Sequence, residues 1–166
     1  MGSMTGLEDE VLARREGEAL AHRAYERLTL PEVPTTGSII EHVAALRRRE
    51  IRVTELASLA GTRTCGWWLA REDHDEILIA PPLSSAHRDA LVLHEVGHLV
   101  LDLTGVVRPA SDGAVAIPGA APGVVAARRS HFTDATEIAA ELLADALHRA
   151  IRRGPRRASR FLSVFS

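Results

Sequence analysis

The stretch LVLHEVGHLV at residues 91–100 constrains the fold of this chain more than any other segment. It carries His94, Glu95 and His98 inside an otherwise apolar run, a pattern that predicts a helix packed in the core. Core helices rarely hold three titratable groups on neighbouring positions, because each buried polar group needs a partner. The segment therefore predicts a central helix whose polar residues share one ligand.

The spacing of these three residues favours a metal ion as that ligand. Residues four apart lie on the same face of an α-helix, so His94 and His98 can offer ring nitrogens to one ion. Glu95 projects beside them and can act as the general base for a water molecule. Among 166 residues with 8 histidines, HExxH is expected about 0.03 times by chance. We predict a zinc site, with another divalent metal as the alternative.

A third ligand is expected from the helical segment 134–153, DATEIAAELLADALHRAIRR. Glu137 lies in its first turn and Glu141 one turn later, so one could bind the ion while the other hydrogen-bonds a ligand histidine. The alternative makes both solvent-facing helix acids. Asp102, one turn after His98, is a candidate for orienting that imidazole.

The rest of the pattern predicts an α+β fold in which a small antiparallel sheet packs on helices. Residues 7–28 are helical in pattern, with Leu7, Val11, Leu20, Ala24 and Leu28 as apolar positions. Ser38, in a capping box with Glu41, opens a second helix to about Arg49. Two or three antiparallel strands follow, around residues 51–53, 65–70 and 76–81.

The motif helix is expected to run from about Ala86 to Leu103, capped by Ser84 or Ser85. Residues 105–123, rich in Gly, Pro and Ala, predict a long irregular loop. Gly154 and Pro155 are expected to stop the ligand helix.

We divide the chain into four parts. Residues 1–3 have the composition of a cloning remnant before Met4, and residues 4–34 form an N-terminal helix and connector. Residues 38–153 form the main domain, and residues 154–166 a basic tail. Arginines from Arg149 to Arg160 indicate either contact with nucleic acid or an acidic protein, or a solvated helix end that complements the macrodipole.

Composition excludes several classes of protein. The 20 basic residues, all arginine, balance 22 acidic ones to a net charge of −2, so no global field points to nucleic acid or membrane. A lone Cys65 excludes a disulfide framework and a cysteine-based zinc site. The N-terminus lacks the features of a signal peptide, and no apolar run reaches a membrane span. We expect a cytoplasmic protein with no membrane partner.

The motif residues resemble the ImmA/IrrE-type bacterial metallopeptidases, which are HExxH, gluzincin-like proteins. Arg88 stands six residues before His94, and Gly97 fills the glycine position of HE-x-GH. The second motif matches Glu137-x-x-Ala140-Glu141-x-Leu143-Ala144-x-x-Leu147, where Leu143 replaces the commoner phenylalanine. The resemblance covers residues 38–150, and Asp102 stands where many members have another histidine.

The resemblance implies a zincin-like α+β fold with Glu137 as the third ligand. It also implies an endopeptidase with a protein substrate, a helix-turn-helix repressor in bacterial regulation or stress response. Other members of the family regulate transcription without clear peptidase activity, so a non-catalytic, metal-stabilised regulatory or toxin–antitoxin-type module is the alternative.

Peptide hydrolysis would also need a donor for the developing oxyanion. His131, just before the ligand helix, is the favoured candidate, and the others are Arg128, Arg129 and Tyr25. Trp67 and Trp68 are consecutive in a predicted strand and point to opposite faces. One is expected in the core, and the other beside the metal, in a cleft where a peptide could add as a strand.

Overall fold

The computed structural model describes the backbone of residues 4–61, 66–105, 114–116, 125–127 and 134–162. Side chains are described for residues 6–61, 66–105 and 134–154. The described part has an α+β fold, as predicted, with four α-helices and a small three-stranded sheet. The helices are α1 (Met4–Arg27), α2 (Thr36–Arg47), α3 (Ser85–Leu103) and α4 (Asp134–Leu162). No helix in the described ranges is long and apolar enough to cross a membrane.

The sheet is mixed, which corrects the prediction of an antiparallel sheet. Its strands are β1 (Glu50–Glu55), β2 (Gly66–Ala70) and β3 (His74–Ile79), in the order β1-β3-β2. β2 and β3 pair antiparallel as expected, whereas β1 runs parallel to β3. The connection between β1 and β2 is long enough to carry the chain past β3 to the opposite edge, so these two strands never form a hairpin.

The two tryptophans of β2 lie on opposite faces of the sheet, as alternation requires. Trp68 joins the main core among the helices, and Trp67 packs with Leu59, Leu69 and Leu78 on the other face. Both are buried, at 8% and 6% exposure. The expectation that one of them lines an open cleft is therefore wrong.

A second, two-stranded sheet lies beside β2. It consists of β4 (Ala114–Ala116) and β5 (Val125–Ala127), which pair antiparallel, and β5 contacts β2. β4 falls within the segment predicted as an irregular loop, so that prediction is wrong at these three residues.

The start of α2 differs from the predicted capping box. Thr35 is the N-cap, and its hydroxyl accepts a hydrogen bond from the Ser38 backbone N–H at 3.0 Å. The Ser38 hydroxyl in turn accepts from the Thr35 N–H at 2.8 Å. Ser38 thus takes the place expected of Glu41, because Thr35 has the extended backbone that a cap requires.

The cap of α3 was predicted correctly. The Ser84 side chain accepts from the His87 N–H at 3.1 Å, and the helix begins at the next residue. The helix then buries an unbroken run of residues from Glu95 to Leu101. The HExxH segment therefore lies on a central core helix.

α4 continues to Leu162, so the predicted stop at Gly154–Pro155 is wrong. A proline inside a helix removes one backbone donor and crowds the preceding turn, yet the helix continues through Pro155. Gly154 lies against Pro34, where an added Cβ would be 3.3 Å from the proline Cδ. This contact holds the helix against the connector after α1.

α1 packs along α4, and the two helices run parallel. Gly17, in the middle of α1, lies against Ala135 at the start of α4, while Pro34 beyond α1 meets Gly154 further along α4. The predicted core positions Leu20, Ala24 and Leu28 are buried. Leu7 and Val11 are 62% and 52% exposed, so the predicted apolar face of α1 packs only in its second half.

Candidate metal centre

α3 presents His94 and His98 on one face with different exposure. The ring centroids are 5.0 Å apart, and the planes meet at 83°. The His98 side chain is 3% exposed and lies deep in the core, whereas that of His94 is 34% exposed. The pair therefore forms a site that opens to solvent on the His94 side.

α4 brings Glu137 to this pair, as the sequence predicted. Its Oε2 lies 3.5 Å from His94 Nε2 and 3.6 Å from His98 Nε2. One potential ligand atom from each of the three residues lies within 4.8 Å of the others, and they form the one such group in the described ranges. Two helices thus place three ligand atoms around one point.

These separations suit a shared metal ion. Ligands about 2.0–2.1 Å from a tetrahedral ion lie roughly 3.3–3.4 Å apart. The observed 3.5 and 3.6 Å are close to this value and are at or beyond the long end of hydrogen-bond geometry. Two imidazoles and one carboxylate are also the donor set of many catalytic zinc sites. The residues present fit a divalent metal ion.

The charges of the three residues are coupled. A hydrogen-bonding contact with Glu137 raises the pKa of His94, and the nearby Glu95 and Glu141 charges act in the same direction against burial. Contacts from His94 and His98 hold the pKa of Glu137 far below its ordinary value. The site therefore keeps Glu137 ionised and favours positive charge beside it, as a cation site should.

Glu95 lies in the interior next to the start of β2. Only 6% of the residue is exposed. A Cβ added at Gly66 would lie 2.5 Å from Glu95 Oε1 and 3.0 Å from its Cδ. The carboxyl end of Glu95 thus packs directly against Gly66 of the edge strand, where a larger residue would displace the Glu95 side chain.

Gly97 explains how α3 and α4 approach closely enough to share ligands. A Cβ added at Gly97 would lie 2.8 Å from the carbonyl oxygen of Ala140 and 3.2 Å from its Cα. Ala140 is one turn after Glu137, on the same face of α4. The backbones of the two helices therefore touch within one turn of the three ligand atoms.

Among the other candidates from the sequence, Glu141 and Arg88 belong to the described residues. Glu141 is exposed, and its charge contributes to the raised pKa of His94. Arg88 Nε lies 3.4 Å from Glu55 Oε1 at the end of β1. His131, like Arg128 and Arg129, falls outside the described residues.

Asp102 forms an ion pair with α2. Its Oδ2 accepts from Arg47 Nη1 at 2.9 Å, and the role of this carboxylate in orienting His98 stays a prediction. Tyr25, a candidate oxyanion donor, packs in part against the main core.

Gly66 and Arg47 were not predicted from the sequence to have a role near the site. A glycine within a strand pattern signals close backbone approach, so the Gly66 contact had a local signal. The contacts of Arg47 had no local signal in the sequence, because its partners Asp75 and Asp102 are 28 and 55 residues away.

Comparisons with protein-family models, curated proteins and solved structures give no match to this chain.

Proposed function

We propose that this protein is a metal-dependent endopeptidase that acts on a protein partner, with His94, His98 and Glu137 as metal ligands. The observation that carries the proposal is the placement of the Glu137 carboxylate at 3.5 and 3.6 Å from the two imidazole nitrogens of an HExxH helix. Zinc is the favoured ion, because the donor set matches its catalytic sites; other divalent metals suit the same donors.

The remaining site residues support hydrolysis. A bound zinc ion would supply Lewis-acid chemistry, polarising a substrate carbonyl and lowering the pKa of a water molecule to about 7. Glu95, next to His94 in the chain, is the general base that accepts the proton of the water and returns it to the leaving amine. The half-exposed His94 and Glu137 leave one side of the centre open to a substrate.

The nature of the partner follows from the resemblance of the motifs at Arg88, residues 94–98 and residues 137–147 to ImmA/IrrE-type metallopeptidases. By that resemblance, we infer a helix-turn-helix transcriptional regulator as the substrate and a regulatory role in a bacterial cytoplasm. The arginines Arg149, Arg152 and Arg153 are exposed on α4 and are a secondary candidate for contact with nucleic acid.

One observation favours a second candidate function. Glu95 is 6% exposed and packed on Gly66, which is also what a structural carboxylate would show. In this alternative, the metal stabilises a non-catalytic regulatory module that binds a partner protein or DNA.

The variant Glu95→Gln separates the two functions, because it keeps the shape of the side chain and removes the base. We expect zinc binding to persist, and cleavage of a helix-turn-helix regulator substrate to fall by at least about a hundredfold. The matched control is Glu18→Gln on α1, whose side chain is 53% exposed and paired with Arg14. Cleavage by Glu95→Gln at the wild-type rate would refute the catalytic proposal.

A further inference from the structure

We propose that α1 is a positioning element of the metal centre, acting through Gly17. The inference rests on the proposed metal site, and it concerns a helix outside residues 38–150, the part of the chain covered by the family resemblance. Gly17 contacts the first turns of α4, on both sides of Glu137 in the chain.

The contact between Gly17 and α4 involves backbone. A Cβ added at Gly17 would lie 2.7 Å from Ile138 Cγ2, 2.8 Å from the carbonyl oxygen of Ala135 and 2.9 Å from Ile138 Cβ. The last two atoms cannot be moved by changing a side-chain rotamer. Any larger residue at position 17 therefore displaces one helix by about half an ångström or more to restore normal contact distances.

The opposite side of α4 is also in close backbone contact, with α3. Ala135 and Ile138 face α1, while Glu137 and Ala140 share the face directed at α3. There the Ala140 carbonyl oxygen already lies 2.8 Å from the position of a Cβ on Gly97. The start of α4 thus lies between two glycines, and a side chain at position 17 would press α4 towards α3.

Such a movement would be felt at the metal ligands. Metal–ligand distances tolerate about ±0.2 Å, less than the shift that a side chain at position 17 requires. Glu137 is the ligand contributed by α4, and its neighbours Ala135 and Ile138 are the residues that Gly17 touches. Gly17 thus fixes the position of Glu137 relative to the two histidines without touching the ion.

The test is the zinc affinity of full-length Gly17→Ala, measured by competition with a chromophoric chelator. The matched control is Gly6→Ala in the same helix, because an added Cβ at Gly6 meets nothing within 4 Å. Alanine is the better helix former, so both changes favour α1 itself. We expect zinc affinity to fall at least about tenfold in Gly17→Ala, as for other groups that support metal ligands, and to stay within about twofold in Gly6→Ala.

A second pair of variants serves if Gly17→Ala does not fold. Ile138→Ala removes the side chain seated on Gly17 and should weaken zinc binding several-fold. Leu142→Ala, one turn further along α4 and also partly buried against the core, should leave zinc affinity unchanged.

Two negative results have different meanings. Wild-type protein that binds no zinc would remove both the proposed function and this inference. Zinc affinity equal to wild type in Gly17→Ala, or in Ile138→Ala where the first variant does not fold, would overturn the positioning role alone.

Discussion

Asp75, at the centre of a buried charge network, provides the sharpest stability prediction. It is fully buried on β3, and its Oδ2 accepts from Arg47 Nε at 2.7 Å while its Oδ1 accepts from Trp68 Nε1 at 3.1 Å. The Arg47 side chain is 10% exposed, and its guanidinium carbon lies 5.0 Å from the centre of the Trp68 ring. Asp102 of α3, one turn after His98, is a further partner of Arg47, so the network joins α2, the sheet and α3.

Asp75→Asn keeps the volume of the side chain and removes the charge that balances Arg47. Losing one partner of a buried ion pair costs about 3–5 kcal/mol, and we expect the lower end, about 3 kcal/mol, because Asp102 still pairs with Arg47. For a chain of this size, that loss in the free energy of unfolding corresponds to a fall in Tm of roughly 6–12 °C.

Urea unfolding followed by tryptophan fluorescence measures this loss directly, because Trp67 and Trp68 are both buried. Glu50→Gln is the control, since its partner Arg52 and Glu50 itself are 50% and 61% exposed and such pairs add little. A loss below about 1 kcal/mol in Asp75→Asn would refute the reasoning that burial makes this network costly to break.

The remaining predictions concern the metal centre and the dependence of its metal affinity and stability on pH. Gly66→Ala should lower kcat for cleavage of the partner regulator about a hundredfold and leave zinc affinity unchanged. The reason is that an added Cβ 2.5 Å from Glu95 Oε1 displaces the base by nearly 1 Å. An unchanged kcat would contradict this. Zinc affinity, measured by chelator competition, should weaken as pH falls from about 8 to about 6, because zinc competes with a proton on His94, whose pKa is raised above about 6.5. In metal-free protein the raised pKa of His94 gives stabilisation that is complete below pH ~6.5 and is lost as pH rises through that pKa. The lowered pKa of Glu137 gives stabilisation present above pH ~4.5 and lost as pH falls through its own pKa. A zinc affinity independent of pH would show that His94 is not a ligand.

The sequence predicted the centre better than the architecture around it. His94 and His98 could be placed because helical spacing is a local property, and the α+β class followed from the change of period after residue 50. The approach of Glu137 rested on motif resemblance, since the distance between two helices has no local signal. The backbone contact at Gly97 accounts for that approach in physical terms.

Features that depend on contacts between distant residues could not be predicted from the sequence pattern. The direction of β1 relative to β3 depends on how the chain runs between Glu55 and Gly66. The alternation of apolar and polar residues predicts a strand but does not indicate its direction. The ion pair between Asp102 and Arg47 of α2 could not be predicted, because the two residues are 55 positions apart in the chain. The predicted end of α4 was wrong because Gly154 and Pro155 are local helix-breaking residues, whereas the contact between Gly154 and Pro34 is not local.

The parallel packing of α1 on α4 also bears on biogenesis. Gly17 and Ala135 meet across more than a hundred residues of chain, so this contact cannot form until α4 has been synthesised. During synthesis, α3 emerges with both histidines before Glu137 exists, and domains acquire their long-range contacts only as the chain leaves the ribosome. A nascent chain therefore holds only two of the three candidate metal ligands until α4 has been made and docks on α3.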